Sequence, residues 1–195
     1  MSDVAILDAG YGNTDSVRLG FARLGARAVP VSDSAAVERA ERVVIPGVGS
    51  AGFAMGRLRE LGLDAALRRR TRPTLGICLG MQLMFDHSEE GDVACLGLVD
   101  GRVRALAAAP GCPVPHMGWT RLDEADPAIG LAAGNYVYFA HSLACDDGPA
   151  TAARARHGAR RFPAALRAGP LWGVQFHPER SSAAGASFLE AFLGA

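Results

Sequence analysis

The chain has 195 residues, enough for one domain with a sizeable core and too few for a comfortable second. Hydrophobic residues make up 49% and charged residues 21%, which excludes the composition of a disordered chain. Twenty basic residues balance twenty acidic ones, so bulk charge recruits the chain neither to nucleic acid nor to an anionic membrane.

The N-terminal stretch MSDVAILDAGYGN carries Asp3 and ends its short apolar run at Asp8, the pattern of neither a signal peptide nor a membrane span. A cytoplasmic location is expected. Cys78, Cys95, Cys112 and Cys145 form no CxxC pair and read as reduced thiols. Val4 to Leu7 reads as a first strand, followed by a Gly and Asn turn and a helix from about Thr14 to Leu24 with Gly25 as its stop. Val29 to Val31 is a second strand. Ser32 is placed to cap a helix running through Ala40, and Arg42 to Ile45 makes a third strand that stops at Pro46-Gly-Val-Gly49. Helical patterns cover Phe53 to Leu61 and Asp64 to Arg70, and the run Arg68-Arg-Arg-Thr-Arg72 reads as a solvated helix end. The fourth strand is Thr74 to Ile77.

This alternation predicts an α/β fold with a mostly parallel central sheet flanked by helices. From about Gly97 the helical rhythm lapses, and LGLVDGRVRAL, NYVYFAHSL, ATAARARHG and FPAALRAGPLWGVQF read as strands, several in antiparallel hairpins. A final helix spans Ser182 to Leu193. No linker or repeat divides the chain, so residues 1–195 are expected to form a single domain.

The fourth strand delivers Gly76-Ile-Cys-Leu-Gly80, a thiol with a glycine two residues to either side. A nucleophile on a sharp strand-to-helix turn needs such small neighbours, because flanking side chains would collide with the strand and helix that it joins. The helix expected over LGMQLMF would then favour a thiolate at Cys78. A base is available in Gly173-Val-Gln-Phe-His-Pro-Glu-Arg-Ser181. His177 follows an apolar strand, and Glu179, two residues on, is placed to hold its tautomer. Oxyanion donors would be the amide of Leu79 and those of the Gly47-Val48-Gly49 loop. Of the other histidines, His87, His116 and His157 show no ligand spacing with cysteines or carboxylates, so neither metal nor cofactor is expected.

The GxCxGxQ elbow and the QFHPE segment resemble the class I, triad-type glutamine amidotransferases. Within that family PGVG, GICLGMQLMF, SEEG, PHMGW and YFAHS, in this order, are similar to the glutaminase subunits of imidazole glycerol phosphate synthase. The resemblance implies a flavodoxin-like sheet and Cys78, His177 and Glu179 as a triad. It implies L-glutamine as substrate, held by Gln82 and Glu90 and by backbone around His141 and Ser142. It further implies a heterodimer with a (β/α)₈ cyclase subunit, HisF, that receives the ammonia and makes imidazole glycerol phosphate and AICAR. The chain departs from the family pattern at Ala9, Thr14, Thr120 and Leu143. Two other readings stand beside this one: a glutaminase serving another synthase, and a non-catalytic assembly domain. Without the resemblance Gln82 is an ordinary helix residue, Glu89 and Glu90 a solvated pair, and Met117 with Trp119 a core patch.

Overall fold

The computed structural model describes residues 3–195. In chain order the elements are β1 (Asp3–Leu7), α1 (Thr14–Arg23), β2 (Arg27–Val31), α2 (Ser34–Arg39), β3 (Arg42–Ile45), α3 (Ala51–Glu60), α4 (Leu63–Arg69), β4 (Thr74–Ile77) and α5 (Leu79–Gln82). Then follow β5 (His87–Ser88), β6 (Val93–Ala94), β7 (Arg102–Ala105), β8 (His116–Ala125), β9 (Tyr136–His141), β10 (Leu143–Cys145), β11 (Thr151–His157), β12 (Arg160–Ala168), β13 (Leu171–Val174) and α6 (Ser182–Leu193).

A nine-stranded sheet runs in the order β2-β1-β3-β4-β13-β12-β11-β8-β9. The first five strands are parallel neighbours, and the rest are antiparallel. The parallel half has the doubly wound order of flavodoxin-like folds, as expected. Side chains alternate along its strands: Val4, Ile6, Val44, Leu75 and Ile77 pack with Phe21, Phe188 and Phe192 of α1 and α6. Ala5, Leu7, Val43 and Ile45 pack on the other face with Val37, Leu58, Leu67 and Met81, from α2 to α5. Burial on both faces explains why these strands read as unbroken apolar runs.

Several local expectations change. Asp33, not Ser32, caps α2, its carboxylate accepting from the Ala36 amide at 2.8 Å. The arginine run is only partly solvated: Arg70 donates to the Ala40 carbonyl at 3.1 Å, Arg72 to that of Arg39 at 2.8 Å and Arg68 to that of Cys95 at 3.0 Å. These bonds tie α4 to the end of α2 and to the loop after β6. The helix after Cys78 stops at Gln82 instead of continuing to Phe85, because the backbone at 96–99 folds over it. The amides of Leu96, Gly97 and Leu98 take the carbonyls of Leu83, Phe85 and Met84 at 2.8 to 2.9 Å. The long strand β8 and the small sheet β10-β7-β5-β6 are features that periodicity did not reveal.

The glycines around the elbow are sterically required. A Cβ on Gly76 would lie 2.5 Å from the Gly80 carbonyl oxygen, and one on Gly80 would lie 2.7 Å from the Ile45 carbonyl carbon, with the oxygen nearer still. Both obstacles are backbone, so neither can rotate away. Gly80→Ala is therefore expected to lose roughly 3 kcal/mol or more of stability in chemical denaturation. Gly56→Ala, at an open position inside α3, is expected to gain roughly 0.5–1 kcal/mol. Equal effects from the two substitutions would contradict this account of the elbow.

Candidate active site

Cys78 stands at φ 52° and ψ −109°, a conformation that costs a non-glycine residue roughly 1–3 kcal/mol. Neighbouring strands hold it there: its amide donates to the Val174 carbonyl of β13 at 2.7 Å, and its own carbonyl accepts from Gln82 at 3.2 Å. The strand-to-helix turn is thus the strained elbow that the glycine spacing suggested. Leu79 opens α5, so its amide is one of the first-turn N–H groups that no intrahelical carbonyl can accept. With a single turn behind it, α5 has little macrodipole. The groups that face the sulfur are side chains instead.

One of these is His177, delivered just beyond the end of β13 and fixed by a bond from its amide to the Tyr138 carbonyl at 2.9 Å. Its Nδ1 is 3.0 Å from Glu179 Oε1, and the Glu179 side chain is only 5% exposed. Burial pushes the His177 pKa down, but hydrogen bonds to Cys78 and Glu179, with the charges of both, outweigh it and raise the value to about 10. Gly20 of α1 makes room for the carboxylate, since a Cβ there would sit 3.1 Å from Glu179 Cβ.

The loop Gly47-Val48-Gly49 needs its two glycines for different reasons. A Cβ on Gly47 would lie 2.6 Å from Leu79 Cβ, whereas Gly49 has free space around it but a φ of 108°. Glu90 secures the far end of this loop: its Oε2 accepts from the Ala51 amide at the start of α3, at 2.7 Å.

Val48, Gly49, Cys78, Leu79, Gln82, Glu90, His141 and Ser142 line one cavity of about 210 Å³. That is below the roughly 300 Å³ at which pockets for drug-sized ligands begin, and it suits a molecule of amino-acid size. Gly47, His177 and Glu179 lie outside the lining, the first packed beneath Leu79, the second beside the sulfur and the third behind it on the histidine ring. A larger cavity, about 330 Å³, lies elsewhere between Phe85, Val99 and Leu166, and it contains none of the residues singled out as nucleophile or base.

Residues assigned no site role from the sequence also converge here: Pro115, Ala140 and Leu143 in the lining, and Gln175 beneath it. The signal for Gln175 was present in QFHPE, but a polar residue between Val174 and Phe176 gives no hint of where its amide points. His141 and His116 form a buried pair at 2.9 Å. Burial holds His141 down to about 3 and, with His157 nearby, His116 down to about 4, so both rings are neutral at pH 7. Among the described residues no group of three His, Cys, Asp or Glu side chains is arranged to hold a metal ion.

The family model for class-I glutamine amidotransferases matches residues 5–194. The chain belongs to the class-I glutamine amidotransferase family. Over 196 aligned positions it is 50% identical to imidazole glycerol phosphate synthase subunit HisH of Xylella fastidiosa and 49% identical to the subunit of that name from Xanthomonas oryzae pv. oryzae. Each alignment covers 99% of this chain and 98% of the relative. Among solved structures, one described as a glutamine amidotransferase superposes with a TM-score of 0.77 at 21% identity, covering 98% of this chain and 99% of that one. PurLQS from Thermotoga maritima gives 0.72 at 16% identity, covering 98% and 97%. At such identities these two likenesses bear on the fold alone, and they match the mixed sheet flanked by helices described above.

The His177 pairing has a defined pH signature. Its contribution to stability is fully present below about pH 6.5 and is lost as the pH rises through about 10. An NMR titration of the imidazole is expected to show His177 still protonated at pH 7, and Cys78→Ala and Glu179→Gln each to move its midpoint down. A midpoint that stays in place in both variants rules the pairing out.

Proposed function

We propose that this amidotransferase chain is the glutaminase subunit of an imidazole glycerol phosphate synthase, with Cys78, His177 and Glu179 as its triad. The observation that carries the chemistry is the meeting of a strained cysteine elbow with a carboxylate-oriented histidine at a cavity of amino-acid size. The near-half identity to HisH subunits over the full length carries the choice of synthase. In this reading Glu90 Oε1 attracts the α-ammonium of L-glutamine, while Gln82 and the backbone at His141 and Ser142 hold the rest.

The Cys78 thiolate attacks the side-chain carbonyl carbon, forming a C–S bond and moving an electron pair to the oxygen. Amides of Leu79 and of the Gly47-Val48-Gly49 loop stabilise that oxyanion, a contribution usually worth about 100-fold or more per donor. Collapse breaks the C–N bond, and His177 protonates the departing nitrogen, releasing ammonia and leaving a thioester. Water, deprotonated by His177, then attacks the thioester, giving glutamate and restoring the thiolate. Ammonia released into bulk solvent would be protonated and lost, so a partner must cover the cavity and receive it. The cyclase subunit HisF is the proposed partner and the cytoplasm the proposed location. No described helix is long and apolar enough to cross a membrane.

A specific surface suits that partner. Met117 and Trp119, which read as a core patch, are 64% and 50% exposed and face solvent, as does Tyr136 at 58%. Pairing of β8 with β9 sets Met117 opposite Ala140, Trp119 opposite Tyr138 and Arg121 opposite Tyr136, one face that reaches the cavity through Ala140. Arg180 stacks over Tyr138 at 4.4 Å and stiffens it. An apolar, aromatic face beside a site mouth is the composition of an interface centre.

Cys78→Ala is expected to abolish glutamine-dependent synthesis by the complex and to leave synthesis from ammonium salts intact. Glutamine-supported turnover in that variant would remove Cys78 as the nucleophile. Trp119→Ala is expected to weaken association with the cyclase subunit by roughly 30-fold in calorimetry. An unchanged affinity would move the interface elsewhere.

A further inference from the structure

Beneath the cavity floor runs a chain of hydrogen bonds that links Gln82 to Cys78 through groups the chemistry above leaves without a role, and a single acceptor sets its direction. The Leu143 carbonyl accepts from His141 Nδ1 at 2.7 Å and from Gln82 Nε2 at 3.0 Å. Because a carbonyl cannot donate, the His141 proton lies on Nδ1. Its neutral ring must then accept at Nε2, from His116 Nδ1 at 2.9 Å. His116 Nε2 in turn accepts from the Thr120 hydroxyl at 2.8 Å. The same carbonyl fixes the Gln82 amide, whose nitrogen gives its second proton to Gln175 Oε1 at 3.0 Å. Gln175 is thereby oriented with Nε2 toward Cys78 Sγ, at 3.6 Å.

Gln175 is fully buried, where an amide without partners is costly. Its N–H faces sulfur rather than oxygen. A thiol sulfur is a weak acceptor, whereas a charged acceptor makes roughly twice as strong a bond, so this donor is well satisfied by the thiolate. In the thiol form the S–H has the Ala140 carbonyl to face, at 3.9 Å. We propose that Gln175 is a positioning residue for the nucleophile: its amide, aimed by Gln82 and the Leu143 carbonyl, donates to the Cys78 thiolate and fixes the sulfur beside His177. The proposal rests on the reading of Cys78 as the nucleophile and adds the group that holds it.

The titratable groups around the sulfur are His177 with Glu179 behind it, His141, the buried Cys145 and, across the cavity, Glu90. None is altered in the test. The free full-length chain, Gln175→Met and Gln82→Met are treated with iodoacetamide across neutral pH, and alkylation of Cys78 is followed by mass spectrometry of its peptide. In Gln175→Met the pH profile of alkylation is expected to be displaced upward by about one pH unit. Gln82→Met keeps the donor but loses its aim, and is expected to move the profile the same way by less. The double variant is expected to move it no further than Gln175→Met alone. A merely structural role would lower the unfolding midpoint of both variants and leave the profile where it was, and that result overturns the proposal. Should Gln175→Met not fold, Gln82→Met decides alone, an unchanged profile again counting against it. A parental Cys78 that resists alkylation at every pH would instead overturn the nucleophile itself, and this proposal with it. Glutamine hydrolysis is not measured, so failure of the glutaminase reading cannot be mistaken for either result.

Discussion

The close approach of α5 to the ends of β3 and β4 is the constraint on which the site depends. Gly80 packs against the Ile45 carbonyl, Gly76 against Gly80, and Gly47 against Leu79, each at a separation that admits no Cβ. Pressed down in this way, the chain can turn from strand to helix only by taking Cys78 through a positive φ. The strain, roughly 1–3 kcal/mol, is balanced by the surrounding core and by the Val174 carbonyl that anchors the Cys78 amide. Rigidity is what the proposed function draws on: a sulfur carried on a floppy loop would have to be ordered at every encounter with a ligand.

The remaining groups arrive from three regions that meet at one edge. The parallel half supplies the loop after β3 and the elbow after β4, and β13 pairs beside β4 with Val174 opposite Ile77. That register brings Gln175 and His177, just past the end of β13, level with Cys78. All of these lie at the carboxyl ends of parallel strands, where ligands bind in doubly wound sheets. The antiparallel half contributes Ala140 and His141 from the end of β9, and the small sheet places Glu90 and Leu143 at the cavity mouth. Polar satisfaction then links these regions, since the one carbonyl of Leu143 serves both His141 and Gln82. Buried polar networks of this kind specify a unique arrangement because each unpaired member would be costly.

Much of this was legible in the order of residues, and the exceptions have physical causes. β3, β4 and α6 were recognisable to the residue because buried parallel strands and amphipathic helices leave strong apolar signals. β8 was not, because its pattern is inverted: Met117 and Trp119 point to solvent, while His116 is buried against His141 of β9 and is bonded by Thr120 of its own strand. Periodicity assumes that apolar means inside, and an exposed apolar face breaks that assumption. β5 and β6 have two residues each, too few for any period. The shortness of α5 was hidden for another reason: LGMQLMF is a good helical sequence, but the distant 96–99 segment takes the carbonyls of its second turn.

By itself the sequence determined the chemistry on offer: a thiol between obligatory small residues, a histidine with a carboxylate two positions on, and a glycine loop after an earlier strand. Local sterics and side-chain type suffice for those, because each is a matter of a few neighbouring residues. Only the tertiary structure decided which amide faces the sulfur, which tautomer His141 and His116 hold, which backbone amide Glu90 accepts from, and that Trp119 stands outside. Those depend on hydrogen-bond acceptors and packing surfaces tens of residues away in the chain, and no local pattern encodes the direction of a bond whose partner lies on another strand.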